Sequence, residues 1–328
     1  MHYLVTGGAG YIGSHLVRAL LQNGDTATIL DNFSTGHRWA TQGQEVIEVD
    51  LRDLNALHET LDGRVFAGVF HFAAKSLVGE SNQQPLLYYQ NNVGGTANLL
   101  EVCLKNNWTR LVFSSTAAVY GNPITEQITE EHPTQPINVY GQTKLAMEQM
   151  LRDVCNSSSL SAVCLRYFNA AGAASDASLG EAHEPETHLI PNVLKAALGK
   201  GPPLTIFGDD YPTADGTCIR DYIHVEDLAS AHLKAMEYLS NINGFDIFNL
   251  GIGEGFSVQE VLTECERIVG CAIPHTVGQR REGDPLILVA NSRKAQSVLH
   301  WNTLHRHLAG IIGSAWRWEQ RTGDRGAK

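Results

Sequence analysis

Gly7-Gly8-Ala9-Gly10-Tyr11-Ile12-Gly13-Ser14-His15 is the stretch on which the reading of this chain turns. It follows His2 to Thr6, a short apolar run that reads as a strand, and it satisfies both GxGxxG and GxxGxxG. Glycine permits the tight turn from strand to helix and lets the main chain approach a pyrophosphate at the helix N-terminus. The same letters also describe an ordinary glycine turn, so the context decides. The next strand, Ala27 to Leu30, ends in Asp31, at the roughly 20-residue distance a dinucleotide site requires. A carboxylate there accepts hydrogen bonds from ribose hydroxyls and repels a 2′-phosphate, which selects NAD over NADP. Asp50, after a further strand, either meets the adenine edge or caps a helix.

Outward from this stretch, apolar β-branched runs alternate with helical patterns: Val46 to Val49, Ala67 to Phe72, Leu111 to Ser114 and Ala162 to Tyr167. Fully apolar strands separated by helices predict an α/β fold, a doubly wound parallel sheet of the Rossmann type covered on both faces. Helices are expected over about Gln83 to Lys105 and Asn138 to Cys155, long enough to invite helix-on-helix homodimerisation. After Asn169 the texture becomes loop-rich, with Pro185, Pro191, Pro202, Pro203 and Pro212. The expected organisation is a cofactor domain over 1–171 and a smaller C-terminal substrate domain over 172–328. About 222–253 return to the first domain, because 246–251 again reads as a buried strand.

Six cysteines without a CxxC pair predict free thiols and no zinc. The first residues carry no basic or long apolar leader, and no apolar run reaches bilayer length, so a cytoplasmic chain is expected. The formal net charge of −11 argues against nucleic acid or an anionic membrane as partner. An anionic ligand would then have to be held by particular arginines.

Tyr140-Gly141-Gln142-Thr143-Lys144 is the only tyrosine followed by lysine at i+4. On a helix the two side chains share a face. An ammonium about 4–5 Å away, at an effective dielectric near 20, would favour the phenolate by roughly 3–4 kcal/mol and bring Tyr140 toward neutrality. That suits general acid/base work. Upstream, Ser114-Ser115-Thr116-Ala117-Ala118 closes a strand where open α/β sheets bind ligands. Its hydroxyls either meet a substrate or satisfy local turn amides.

With TGGAGYIGSH, Asp31, SSTAAVYG and YGQTK in this order, the chain resembles the UDP-glucose (UDP-galactose) 4-epimerases of the extended short-chain dehydrogenase/reductase family. Further matches are HFAAKSLVGES (71–81), YYQNNVGGT (88–96), RYFNAAGA (166–173), HEPETHLIP (183–191), the 206–229 stretch, FNLGIG (248–253) and RREGDP (280–285). The resemblance implies tightly held NAD, used as a transient oxidant through a 4-keto sugar, with UDP-hexoses as substrate. It implies Tyr140, Lys144 and Thr116 as catalytic residues. Gly7, Gly10, Tyr11, Ile12, Gly13, Asp31, Asn32, Asp50, Leu51, Phe72, Ala73, Ala74, Asn92, Ser114 and Phe168 would meet the cofactor, with Tyr140 and Lys144. Thr116, Asn169, His188, Leu189, Phe207, Arg220, Arg281, Asp284 and Leu288 would meet the UDP-sugar.

Some family members have a cofactor-contacting lysine where this chain has Ser76, with Lys75 one position earlier. Leu288 stands where some carry a tyrosine, and the shorter side chain predicts tolerance of UDP-GlcNAc and UDP-GalNAc. Dehydratases, which share the first oxidation, use an Asp-Glu pair after the strand-end threonine; here Ala117-Ala118 stand instead. His183 and His188, near Glu184 and Glu186, lack HExxH spacing, so no metal is expected.

Overall fold

The computed structural model describes residues 1–281 and 284–322; Glu282 and Gly283 of RREGDP, and 323–328 of the expected substrate domain, lie outside the described residues. Strand β1 (His2–Thr6) runs through the glycine turn into α1 (Tyr11–Gln22), then β2 (Thr26–Leu30), β3 (Glu45–Ile47), α2 (Leu54–Leu61) and β4 (Val69–His71). Helices α3 (Val78–Gln83), α4 (Pro85–Tyr88) and α5 (Gly95–Lys105) precede β5 (Arg110–Thr116), α6 (Val139–Ser157) and β6 (Ser161–Tyr167). After β7 (Asn169–Ala171) come α7 (Leu189–Ala197), β8 (Leu204–Phe207), β9 (Ile219–Arg220), β10 (Tyr222–His224), α8 (Val225–Tyr238) and β11 (Phe245–Leu250). The remaining elements are β12 (Phe256–Ser257), α9 (Val258–Val269), β13 (His275–Gly278), β14 (Ile287–Leu288), α10 (Arg293–Val298) and α11 (Leu308–Thr322).

Seven strands pair in parallel in the order β11-β6-β5-β4-β1-β2-β3. Alternation along each strand divides the core between the two faces. Tyr3, Val5, Ile29, Phe70, Val112 and Val163 meet Leu16, Val17 and Leu20 of α1 and Leu228, Ala231 and Ala235 of α8. Leu4, Leu30, Val69, Leu111, Phe113 and Cys164 meet α2, α5 and α6 through Leu57, Leu99, Cys103, Met147 and Leu151. This is the expected doubly wound arrangement, and β11 joins it as a sheet edge beside β6. A separate core of Ile190, Val193, Leu194, Val261, Leu262, Ile311 and Ile312 gathers α7, α9 and α11 behind β8 and β10.

Local details depart from the sequence reading. The helix expected from Gln83 starts only at Pro85, because proline lacks the N–H a helix interior needs and fits in a first turn. Tyr89–Gly94 is then a π-helical turn between α4 and α5. Asp53, not Asp50, caps α2, accepting from Ala56 N at 3.0 Å. All six cysteines are free thiols, five of them buried. No helix among the described residues is long and apolar enough to cross a membrane.

Candidate active site

The strand order reverses between β1 and β4, and in such sheets ligands settle beyond the strand ends at that switch point. The glycine turn occupies it. Gly7 has φ +72, and a Cβ there would lie 2.6 Å from Ala73 N in the chain leaving β4. A Cβ on Gly13 would lie 2.2 Å from the Gly7 oxygen. Only glycine allows this closeness, so the motif's spacing has a steric cause. Gly10 precedes α1 with no side-chain cap, so no side chain shields the first-turn amides from an anion. At the end of β2, Asp31 accepts from Ala9 N at 3.0 Å and Phe33 N at 2.9 Å. Burial raises its pKa against those two donors. Asp50 accepts from Asn32 at 2.8 Å, and Arg52 holds it well below the usual carboxylate range. Cradle, uncapped amides and strand-end carboxylate together fit a dinucleotide.

A cavity of about 510 Å³ opens from this turn, and most of the expected site residues line it. Thr116 ends β5, and Tyr140 and Lys144 rise from α6 on the facing wall. Gly141 explains the closeness of these walls: a Cβ there would lie 2.5 Å from the Ala118 oxygen. Asn138 starts the helix by accepting from Gly141 N at 2.8 Å. Ser115 turns away and donates to Glu148 at 2.5 Å, while the Thr116 hydroxyl accepts from Ala118 N at 3.1 Å.

The expected lowering of Tyr140 does not occur in this cavity. Burial pushes the phenol up to about 12, opposed only by a hydrogen bond with Thr116. Lys144 is on the right helix face, but its ammonium donates to the Ser114 oxygen at 2.7 Å and stands 6.0 Å from the Tyr140 ring centre. Burial also brings Lys144 itself down to about 7.

Asn92, Leu189 and Phe207 are not among the lining residues. Asn92 is fully buried in the π turn; it accepts from Lys75 N at 2.8 Å and donates to Lys75 O at 3.0 Å and Thr143 at 3.1 Å. It therefore ties the chain after β4 to α6. Leu189 packs on the second core. Phe207 lies under the Arg281 guanidinium, 3.8 Å from ring centre to carbon. Arg220 and Asp284 form an ion pair, and both line the cavity with Arg281 and Leu288.

Several lining residues escaped the sequence reading. Tyr167 bonds Ser114 at the end of β6; Lys75, named in the sequence beside Ser76, also lines the cavity and pairs with Glu80 at 3.6 Å. Glu181, rather than the nearby Glu184, is the carboxylate that meets both His183 and His188. Tyr167 stands one residue before Phe168 in a recognised motif, so position could have flagged it. Nothing local marked Glu181, whose partners come from the turn of the following loop.

The family model described as "NAD dependent epimerase/dehydratase family" matches residues 3–251. A UDP-glucose 4-epimerase of Halalkalibacterium halodurans is 49% identical over 320 residues, 98% of this chain and 96% of that protein. The crystal structure of a UDP-glucose 4-epimerase from Brucella ovis in complex with NAD superposes with a TM-score of 0.93 at 45% identity, covering 96% of this chain and 97% of that one. The UDP-Glc/GlcNAc 4-epimerase of Campylobacter jejuni has a TM-score of 0.85 at 42% identity, covering 98% and 99%.

Proposed function

Because the chain belongs to the NAD dependent epimerase/dehydratase family, we propose that it is a UDP-glucose 4-epimerase, interconverting UDP-glucose and UDP-galactose with NAD held at the glycine turn. The observation that carries this reading is one cavity: Thr116 lines it across from Tyr140 and Lys144, and the positions after Thr116 are Ala117 and Ala118. Water elimination needs a further acid and base there, and two alanines supply neither. Reversible oxidation at a single carbon needs only one group to move one proton.

NAD, when bound, supplies the acceptor and donor of a hydride at the sugar C4 and a positive charge beside the phenol. Tyr140 takes the 4-hydroxyl proton and returns it. A phenol at about 12 is a poor match for neutral pH, so Tyr140 depends on added positive charge to act. Thr116 shares the hydrogen bond to the sugar oxygen. Lys144, anchored on Ser114, holds the cofactor's ribose side of the cavity. Arg220 and Arg281 hold the diphosphate, as their planar donor forks suit its oxygens.

The finer assignments rest on single features. Leu288 lines the sugar end beside Phe168, and its short side chain supports turnover of UDP-GlcNAc and UDP-GalNAc as well. Leu86 and Tyr89, exposed on and just after α4, support a homodimer through that helical face. Free buried thiols fit a cytoplasmic location. The test is to incubate the purified protein, without added NAD, with UDP-galactose and UDP-GalNAc separately. UDP-glucose and UDP-GlcNAc are the expected products, and absence of both would overturn the reading.

A further inference from the structure

Glu181, His183, Glu186 and His188 gather at the rim between the cofactor and substrate halves of the cavity, their donor atoms within 4.8 Å of one another. A metal centre is the first chemistry such a set suggests, but the spacing is that of hydrogen bonds. His188 Nδ1 lies 2.7 Å from Glu181 and 3.0 Å from Glu186, and His183 Nδ1 lies 3.0 Å from Glu181. Two ligands of a tetrahedral zinc stand about 3.3 Å apart, given Zn–N and Zn–O bonds near 2 Å.

Glu181 is held from three sides. A Cβ on the preceding Gly180 would lie 2.4 Å from Trp318 Cγ, so the chain is pressed against α11. Trp318 Nε1 donates to the Glu181 main-chain oxygen at 2.8 Å. The side chain is 4% exposed as a residue and reaches both histidines. His183 in turn meets the edge of Tyr11, within the glycine motif, at 6.1 Å between ring centres. With Nδ1 of His188 occupied by two carboxylates, its Nε2 has no protein partner among the described residues, and the ring lines the cavity with Arg220 and Arg281.

We propose that Glu181 is a positioning residue that orients His188 as a third cationic donor for the substrate diphosphate and, through His183, couples that donor to the cofactor end of the cavity. The inference rests on the UDP-sugar reading above. Burial by itself would push His188 down, but Glu181 and Glu186 carry it up to about 10. The other charged or titratable groups facing the cluster are Tyr11 and His15 from α1, Lys195 from α7, 3.7 Å from Glu186, and Glu319 from α11. A histidine raised in this way keeps its charge below the raised pKa and loses it only above, so the wild type holds the donor throughout the neutral range.

The test is UDP-glucose binding, whose diphosphate diester does not titrate between pH 6 and 8, to the full-length, NAD-loaded protein by calorimetry, for the wild type, Glu181→Gln and Glu181→Asp. Wild-type affinity should change by less than about twofold between pH 6 and 8. In Glu181→Gln it should fall about tenfold at pH 8 and under about threefold at pH 6, as His188 returns toward its ordinary pKa. Glu181→Asp should recover most of the loss, and adding His188→Asn to Glu181→Gln should remove the pH dependence. If Glu181→Gln does not fold, His188→Asn alone should weaken UDP-glucose binding at pH 8 with NAD content intact. Equal loss at both pH values, no loss at either, or stoichiometric zinc in the purified protein would overturn the proposal. Failure of the epimerase reading shows separately, as absent turnover by the wild type.

Discussion

The Lys144 ammonium is tied to the main-chain oxygen of Ser114 at 2.7 Å, so the lysine of the YxxxK pair is fastened to the end of β5 rather than to its tyrosine. On α6 Lys144 is buried while Tyr140 keeps part of its surface open to the cavity; in the proposed reaction the tyrosine presents the proton-bearing oxygen and the lysine fixes the strand end and the cofactor side.

Tyr140→Phe removes the phenol proposed to exchange the substrate proton. Turnover of UDP-galactose should fall by about 10²–10⁴-fold, the usual worth of a general acid/base group. Bound NAD, read by absorbance after denaturation, should stay near the wild-type ratio. Lys144→Met, which removes the ammonium's bond to the Ser114 oxygen, should lower both.

Asn92→Ala takes away both partners of Lys75's main chain and one of Thr143's. Each buried group left unpaired costs about 1–3 kcal/mol. A lower melting temperature and a reduced NAD content are expected, although Asn92 itself is not among the lining residues. A variant that keeps both values would show that the π turn does not support the cofactor loop.

Leu288→Tyr should act on sugar choice. Added bulk at the sugar end should cut UDP-GalNAc turnover by more than about tenfold while changing UDP-galactose turnover by less than about threefold, the scale on which pocket shape discriminates. Equal losses on both substrates would remove Leu288 from the specificity argument.

Stability should fall on mild acidification. Burial pushes His15 and His232 down to about 4, and His71 and His224 down to about 3, so all four are neutral in the fold. Below pH 6.5 the unfolded chain binds protons that the fold refuses, so stability present above pH 6.5 is lost as the pH falls toward 4. Asp221, pushed up to about 7 by burial, works in the opposite sense. His188, raised to about 10, also works in the opposite sense, because its contribution is complete below pH 6.5 and begins to be lost between 6.5 and 7.5. Urea melts at about pH 7.5 and 5.5 should differ by on the order of 1–3 kcal/mol. An unchanged midpoint would mean that these histidines bind protons in the fold.

Leu86→Asp with Tyr89→Asp should shift sedimentation from a dimer toward a monomer at micromolar concentration, by placing charge on the apolar face they form. A wild type that sediments as a monomer would end the dimer proposal.

The fold class could be read from the sequence because its signals are local and periodic. Strand alternation, the glycine turn and Asp31 each depend on neighbours a few residues away, and backbone sterics then force the turn. The place of Tyr140 and Lys144 on one helix face followed in the same way. What the phenol's environment does to it did not follow. Its pKa depends on burial by groups from β5 and on where the lysine's flexible stem ends, neither of which spacing reveals. Asn92 was picked out by resemblance, yet its bonds to Lys75 and Thr143 exist only because a π turn and two distant segments meet. Glu181 was invisible for the same reason: its contacts arise from Trp318, more than a hundred residues on, holding it beside two histidines of the next loop. The sequence alone determined the sheet, the cofactor cradle and the placing of Tyr140 and Lys144 on one helix face. Only the tertiary structure decided the charges around them, because burial and long-range contact, which set those charges, are properties of the packed chain.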